Sequence, residues 1–205
     1  MHTSSLLNMQ SFVDKYLAPM GRSLKIADIG SQVVEGQVGE GSYKKCFGRE
    51  NWEYVGCDMV PGNNVDIVFK NPYAWDEIKN GTFDVVVSGQ ALEHVEYIWV
   101  TVMEMERILK EGGLCCLIVP SSGYAHMYPI DCWRFLEGGL AALAKWARMD
   151  IIEVFTQRCP EDFGQYDPIW QDSVLICQKP RRTWRSKIKF MLAYKAGRLM
   201  APLSL

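Results

Sequence analysis

The sequence has seven cysteines but no CxxC pair, and two of them, Cys115 and Cys116, lie inside an apolar run. That distribution suits buried free thiols and excludes a zinc site or a disulfide framework as the organising principle. No apolar stretch reaches the length of about 18 residues that a spanning helix needs. The opening MHTSSLLNMQSFVDKYL lacks the basic start and long apolar centre of an export signal. The expected location is therefore the cytoplasm. There is no internal repeat and no low-complexity segment, and no G-x-G-x-x-G follows the first strand-like run, which disfavours a dehydrogenase. The C-terminal stretch is basic and lacks acidic residues. Residues 181–205 hold Arg181, Arg182, Arg185, Lys187, Lys189, Lys195 and Arg198 with no Asp or Glu, so the first 180 residues keep 15 basic against 24 acidic side chains. The body is acidic and the tail basic, which leaves the tail free to fold back on the body or to meet an anionic partner. Nucleic acid is not expected as that partner, since the body repels phosphate and no recognition motif is present.

The remaining 205-residue composition, 48% of it hydrophobic, is enough for one continuous core. We expect one domain over 1–180, opened by an N-terminal helix, and a tail over 181–205 that is helical or disordered. Met9, Phe12, Val13, Tyr16 and Leu17 fall at helical spacing before Pro19 and Gly21. Short apolar runs then alternate with helical patterns: SLKIADIG, WEYVGCD, VDIVF, FDVVVSG and GLCCLIVP read as buried strands. Residues 95–110 carry the clearest helical stripe, with Gly112 and Gly113 expected to end it. LEGGLAALAKWAR reads as a further helix, and MDIIEVFTQ and DSVLICQKP as a sixth and a seventh strand with no helix between them, an antiparallel pair. Alternating strands and helices predict an α/β, Rossmann-like, seven-stranded and mainly parallel sheet with helices on both faces. In the tail, residues 183–199 can form a helix with Trp184, Ile188, Met191 and Leu192 on one side, a pattern compatible with peripheral contact at an anionic membrane.

In open α/β sheets, ligands bind beyond the carboxyl ends of the strands. The first strand ends in Ile26-Ala27-Asp28-Ile29-Gly30-Ser31-Gln32. An acid in an apolar run needs a donor partner, so Asp28 requires one. Gly30 lets a ligand approach the turn without a Cβ in the way. The second strand ends on Asp58, about 30 residues later, where a carboxylate can accept from the vicinal hydroxyls of a ribose.

These residues, with Phe83-Asp84-Val85-Val86-Val87-Ser88 leading to Gln90-Ala91-Leu92-Glu93-His94, and with Leu109-Lys110-Glu111-Gly112-Gly113 before the fifth strand, resemble the class I S-adenosylmethionine-dependent methyltransferases over roughly residues 23–178. The resemblance implies S-adenosylmethionine as cofactor and S-adenosylhomocysteine as product, and an antiparallel last strand. It also implies a cofactor site drawn from Asp28, Gly30, Ser31, Gln32, Asp58, Met59, Gln90, Ala91 and His94, the last lining the pocket or capping the following helix. Two of the three glycines common in the first loop of that class are replaced, by Gln32 and Val34. Gly36, Gly39 and Gly41 point instead to a longer, mobile loop ending in Gly41-Ser42-Tyr43, which places Tyr43 on the substrate side. Where the class often contacts adenine with an acid, this chain offers Asn71, with Tyr73 near the ring; a turn made by Asn71-Pro72 is the competing reading.

The segment Pro120 to Phe135 concentrates polar and aromatic side chains at the carboxyl end of the fifth strand, where an acceptor must meet the cofactor. Tyr124, Tyr128, Asp131, Trp133 and Arg134 are the candidate substrate residues, and an Asp131–Arg134 latch is a compatible structural role. Methyl transfer is an in-line displacement that needs alignment and exclusion of water. A neutral oxygen or nitrogen acceptor also needs a base, and His126 is the candidate. The expected activity is methylation of a small molecule or glycoconjugate, the alternative being a non-catalytic cofactor-binding or scaffold protein.

Overall fold

The computed structural model describes residues 2–33, 41–158 and 167–200. Val34, Gly36 and Gly39 of the first loop lie outside the described residues, as do Cys159 and residues 201–205. The chain opens on α1 (Thr3–Phe12), which continues as a wider turn over Val13–Leu17. Seven strands follow: β1 (Leu24–Ile29), β2 (Trp52–Asp58), β3 (Ile67–Val68), β4 (Phe83–Gly89), β5 (Leu109–Pro120), β6 (Asp150–Thr156) and β7 (Asp172–Gln178). Helix α2 (Ile98–Ile108) precedes β5, α3 (Glu137–Trp146) precedes β6, and α4 (Trp184–Met200) closes the described chain.

The strand order is β3-β2-β1-β4-β5-β7-β6. β7 runs antiparallel to both β5 and β6, and the other pairings are parallel. The expected seven-stranded sheet and its reversed last strand are both present. Its apolar strands are buried on two faces. On one, Met9 and Phe12 of α1 pack with Tyr43 and Phe47 over Ile26, Val85, Val87 and Ile118. On the other, Val102 and Met105 of α2 and Leu140 and Ala144 of α3 cover Ala27, Val86, Leu117 and Leu175.

The end of α2 departs from the sequence reading, as does the length of β3. The helical stripe of 95–110 forms as α2, but it ends at Ile108 rather than at Gly112, because Leu109 already pairs with Phe83 as the first residue of β5. The crossover near Tyr43 is a single tight turn, Tyr43–Phe47, with Ser42 Oγ accepting from the Lys44 amide.

The basic tail folds back on the acidic body. Arg182 pairs with the fully buried Glu106, whose other cation is Lys179 at 3.4 Å, and the Arg182 guanidinium also lies 4.4 Å from the Phe190 ring centre. Tyr194 donates to the buried Glu104, and Arg198 reaches Asp76 at 3.2 Å. Among the described residues, no helix is long and apolar enough to cross a membrane. Removing Arg182 leaves the buried Glu106 with Lys179 as its remaining cation, so Arg182→Met should lower unfolding free energy by about 2 kcal/mol, less than the loss of a sole partner would. A denaturant titration showing a loss under about 1 kcal/mol would mean that α4 is not anchored there.

Candidate active site

The strand order reverses between β1 and β4, and the loops that leave their carboxyl ends meet. Gly30 has φ +79°, and a Cβ on it would come within 2.4 Å of Ala91 Cβ, so only glycine lets these two loops touch. The Gly30 and Ser31 amides both donate to the Cys57 carbonyl, at 2.9 and 3.2 Å, which ties the first loop to the end of β2. Asp58 completes that corner. Its Oδ2 accepts from the Gln32 amide at 3.0 Å and its Oδ1 from the Met59 amide at 2.7 Å, fixing a partly exposed carboxylate beside the first loop.

Asp28 has the donor partner its burial demands: Tyr54 Oη donates to Oδ2 at 2.6 Å and in turn accepts from Asn64 Nδ2 at 2.8 Å. Asn64 also bonds the Ser31 carbonyl through Nδ2, and Ser31 Oγ donates to the Asn64 carbonyl. Asp28, Ser31 and Tyr43 therefore differ from the expectation of direct ligand contact. Asp28 is 3% exposed and supports the loop from beneath, Ser31 is buried in the same network, and Tyr43 is fully enclosed, sharing a hydrogen bond with Ser5 of α1. Asn71 also departs from its expected role, because its Oδ1 accepts from the Tyr73 amide at 2.8 Å, the turn that a residue before proline favours. Tyr73 is buried with its edge against Tyr97.

On the other side of the β4 loop, Gln90 (φ +55°) donates through Nε2 to Asp172 Oδ1 at 3.0 Å. His94 Nδ1 lies 2.5 Å from the Ile130 carbonyl, an acceptor only, so this nitrogen carries the hydrogen. Burial holds His94 below the usual imidazole range. His126 packs edge-on against His94, their ring centres 4.8 Å apart, and its amide donates to Asp131 Oδ2 at 2.7 Å. The latch exists: Arg134 grips both Asp131 oxygens at 2.6 and 2.8 Å and also donates to the Tyr124 carbonyl. That guanidinium, with the His126 amide, holds the Asp131 carboxyl well below the usual carboxylate range. Trp133 is fixed by its indole N–H on the Val95 carbonyl at 2.8 Å. Tyr124 and Tyr128 stand out, 66% and 53% exposed, with Met127 between them.

Four residues of this region escaped the sequence reading. Trp170 backs the wall, 4.9 Å from the His126 ring centre and 5.0 Å from that of Tyr124, and it seats on Gly123, whose φ is +103°. His2 stacks on Trp170. Asp172, fully buried, accepts from Ser4 Oγ at 2.7 Å as well as from Gln90. Glu93 is 1% exposed, and neither of its carboxylate oxygens has a hydrogen-bond partner. Burial pushes its carboxyl up to about 8.

Residues 34–117 match a family model described as a methyltransferase domain. No curated protein matches the sequence. Among solved structures, the 1,6-didemethyltoxoflavin-N1-methyltransferase of Burkholderia thailandensis, bound to 1,6-didemethyltoxoflavin and S-adenosylhomocysteine, is 16% identical with a TM-score of 0.63, over 87% of this chain and 79% of that one. A SAM-dependent methyltransferase of Methanosarcina mazei is 17% identical with a TM-score of 0.58, over 83% and 98%. The [4+2]-cyclase SpnF is 12% identical with a TM-score of 0.61, over 86% and 82%.

Burial pushes the Asp28 carboxyl up to about 7, aided by the negative charge of Asp58 and opposed by the Tyr54 hydrogen bond. Between the ordinary carboxyl value of 3.8 and about 7, the folded chain keeps a proton that the unfolded chain releases. This contribution to stability is present below the lower value and is lost as pH rises through the upper one. Asp28→Asn keeps an acceptor for Tyr54 and removes the titration. Its unfolding free energy relative to the parent should rise by up to a few kcal/mol between about pH 5 and about pH 8, in the absence of cofactor. Parallel pH profiles for the two proteins would place Asp28 in a more solvated setting.

Proposed function

We propose that the chain, which matches a methyltransferase-domain model over residues 34–117 and has the fold of solved methyltransferases, is a class I S-adenosylmethionine-dependent methyltransferase that moves the methyl group to an oxygen or nitrogen of a small molecule or glycoconjugate. The observation that carries this reading is the meeting of Gly30, Asp58 and Ala91 at the β1/β4 reversal, directly beside the aromatic segment after β5. Asp58 would accept from the ribose hydroxyls of the cofactor, the Gly30–Gln32 backbone would support it, and the Gln90–His94 loop would line the side facing the acceptor segment. The acceptor enters against Tyr124, Tyr128 and Trp133. The bound cofactor would supply an electrophilic methyl carbon for the acceptor's lone pair and leave as S-adenosylhomocysteine. His126 takes the acceptor's proton. Alignment and exclusion of water supply much of the acceleration in such a displacement, and the Asp131–Arg134 latch serves that end by fixing the wall.

A nitrogen on a small molecule has a precedent in the name of the Burkholderia relative. A second reading, cofactor binding without methyl transfer, draws on the replacement of two loop glycines by Gln32 and Val34, and on a cyclase among the similar folds. Calorimetry with S-adenosylmethionine and S-adenosylhomocysteine tests the shared premise: both should bind, and no binding at millimolar concentrations would sink it. Asp58→Ala should weaken either ligand at least about tenfold, since a charged acceptor is lost from paired hydroxyls. On a panel of hydroxyl and amine acceptors, His126→Ala should reduce turnover more than cofactor affinity; equal turnover removes His126 from the chemistry. Two bound ligands with no methylated product across the panel would favour the second reading.

The outer face of α4 adds a peripheral contact to this proposal. Trp184, Ile188, Met191 and Leu192 are exposed there beside Arg185, Lys189 and Lys195, a combination suited to an anionic bilayer surface. Vesicles containing anionic lipid should sediment the protein in a salt-sensitive manner, and Trp184→Ser with Leu192→Ser should abolish this. Equal recovery with neutral vesicles would remove the electrostatic part of the argument.

A further inference from the structure

We infer that Glu93, His94 and His126 form a binding site for a divalent first-row transition-metal ion, built from the loops after β4 and β5. One ligand atom from each of the three lies within 4.8 Å of the others, and His94 Nε2 is 3.8 Å from Glu93 Oε1. Two donors at about 2.1 Å from a common ion stand at most about 4.2 Å apart, so the longest separation has to close by roughly half an ångström. A rotamer adjustment of half-buried imidazoles is enough for that.

The second observation is the state of Glu93. It is 1% exposed, and both of its oxygens lack a partner. A carboxylate in such a place requires a cation or a proton. The Arg134 guanidinium does not supply the contact: its two terminal nitrogens are engaged with Asp131, the Trp133 carbonyl and the Tyr124 carbonyl, and its buried Nε makes no hydrogen bond to Glu93. The third observation is the way the imidazoles are held. His94 gives its Nδ1 hydrogen to the Ile130 carbonyl, which leaves the Nε2 lone pair toward Glu93. His126 Nδ1 lies 3.4 Å from Asp131 Oδ2, itself fixed by Arg134, without a hydrogen bond between them. The backbone carbonyl bonded behind His94 is the outer arrangement that metal-ligating imidazoles carry, because it sets ring orientation and basicity, and the Asp131 carboxylate is placed to do the same for His126 once its ring turns. Two nitrogen donors and one carboxylate favour ions such as Zn²⁺, Co²⁺ or Fe²⁺ over Mg²⁺ or Ca²⁺, and three protein ligands leave positions open.

The site goes beyond the methyl-transfer reading and does not rest on it. Where both hold, an acceptor hydroxyl or amine taking an open position becomes more acidic there, and His126 serves as ligand while the acceptor's proton leaves to solvent.

Chelator-stripped protein titrated with Co²⁺ should bind on the order of one ion per chain, with the visible absorption of a nitrogen and oxygen ligand field. Glu93→Gln and His126→Asn should each weaken binding at least about tenfold while leaving the thermal midpoint near that of the parent. X-ray absorption on the Co²⁺-loaded parent counts imidazole ligands without any variant, and two are expected. A parent that takes up no more Co²⁺ or Zn²⁺ than the two variants, or that shows fewer than two imidazoles, overturns the site and leaves Glu93 a neutral buried acid. Calorimetry with S-adenosylhomocysteine on the same preparations separates the two ideas. Metal uptake without nucleoside binding would sink the methyltransferase reading alone, and nucleoside binding without metal uptake would sink this site alone.

Discussion

Asp172 is the point on which the geometry of the site depends. It opens β7, and because β7 runs against its neighbours, its first residue lies opposite Pro120, at the carboxyl edge of the parallel strands. There the carboxylate receives Ser4 from α1 and Gln90 from the β4 loop, and His2 lies 3.5 Å away. The N-terminus, the loop after β4 and the last strand are thereby tied by one side chain with no accessible surface. An interior carboxylate served by hydroxyl and amide donors fixes direction more strictly than an ion pair does, since each donor must arrive along a particular line. The Gln90 backbone, at φ +55°, is thus held where the cofactor loop needs it.

The two edges of the sheet treat their acids differently. At the amino edge, Asp84 has Arg22 and Lys110, and Glu106 has Lys179 and Arg182. Those pairs fasten α4 and the ends of the strands. At the carboxyl edge, Asp28 has a tyrosine, Asp172 a serine and a glutamine, and Glu93 nothing. Burial without a bonded cation raises all three carboxyls from their ordinary values. Asp28 and Asp172 use their bonds to hold loops in place, whereas Glu93, with neither oxygen bonded, is open to what arrives beside it.

Much of this was legible in the residues. WEYVGCD and FDVVVSG form β2 and β4 with the bounds their apolar runs predict, and Asp28, Gly30 and Asp58 end the strands they were expected to end. β3 is reduced to Ile67–Val68: the Val65 amide closes a turn on Gly62, and at Asp66, whose amide does reach the Gly56 carbonyl of β2, the Gly56 amide is taken by the Asp66 carboxylate. What could not be read is contact across long separations. Ser4 and Asp172 are 168 residues apart, and Gln90 and Asp172 are 82. The reversed β7 was predicted, and with it came an unused inference: the first residue of an antiparallel strand falls at the edge where the parallel strands end. The isolation of Glu93 left no mark in sequence, since Leu-Glu-His reads the same whether its acid is paired or bare.

The acceptor segment combines a rigid base with an open tip, and that division carries the chemistry. At its start, the Ser121 and Ser122 amides bond the Trp170 carbonyl; at its end, the Cys132 and Trp133 amides bond the Glu93 carbonyl, and the Phe135 amide bonds that of Pro120. His94 and His126 sit at this anchored base, whereas Tyr124, Met127 and Tyr128 project into solvent between the anchors. Groups that must meet a reacting atom need tenths of an ångström in placement, and hydrogen bonds from two separate loops supply that. Groups that select among acceptors need only shape and exposed area. On the proposed reading the exposed rings would choose the acceptor, and Tyr128, edge-on to both His94 and His126 at 6.0 and 5.9 Å, would couple that choice to the imidazoles.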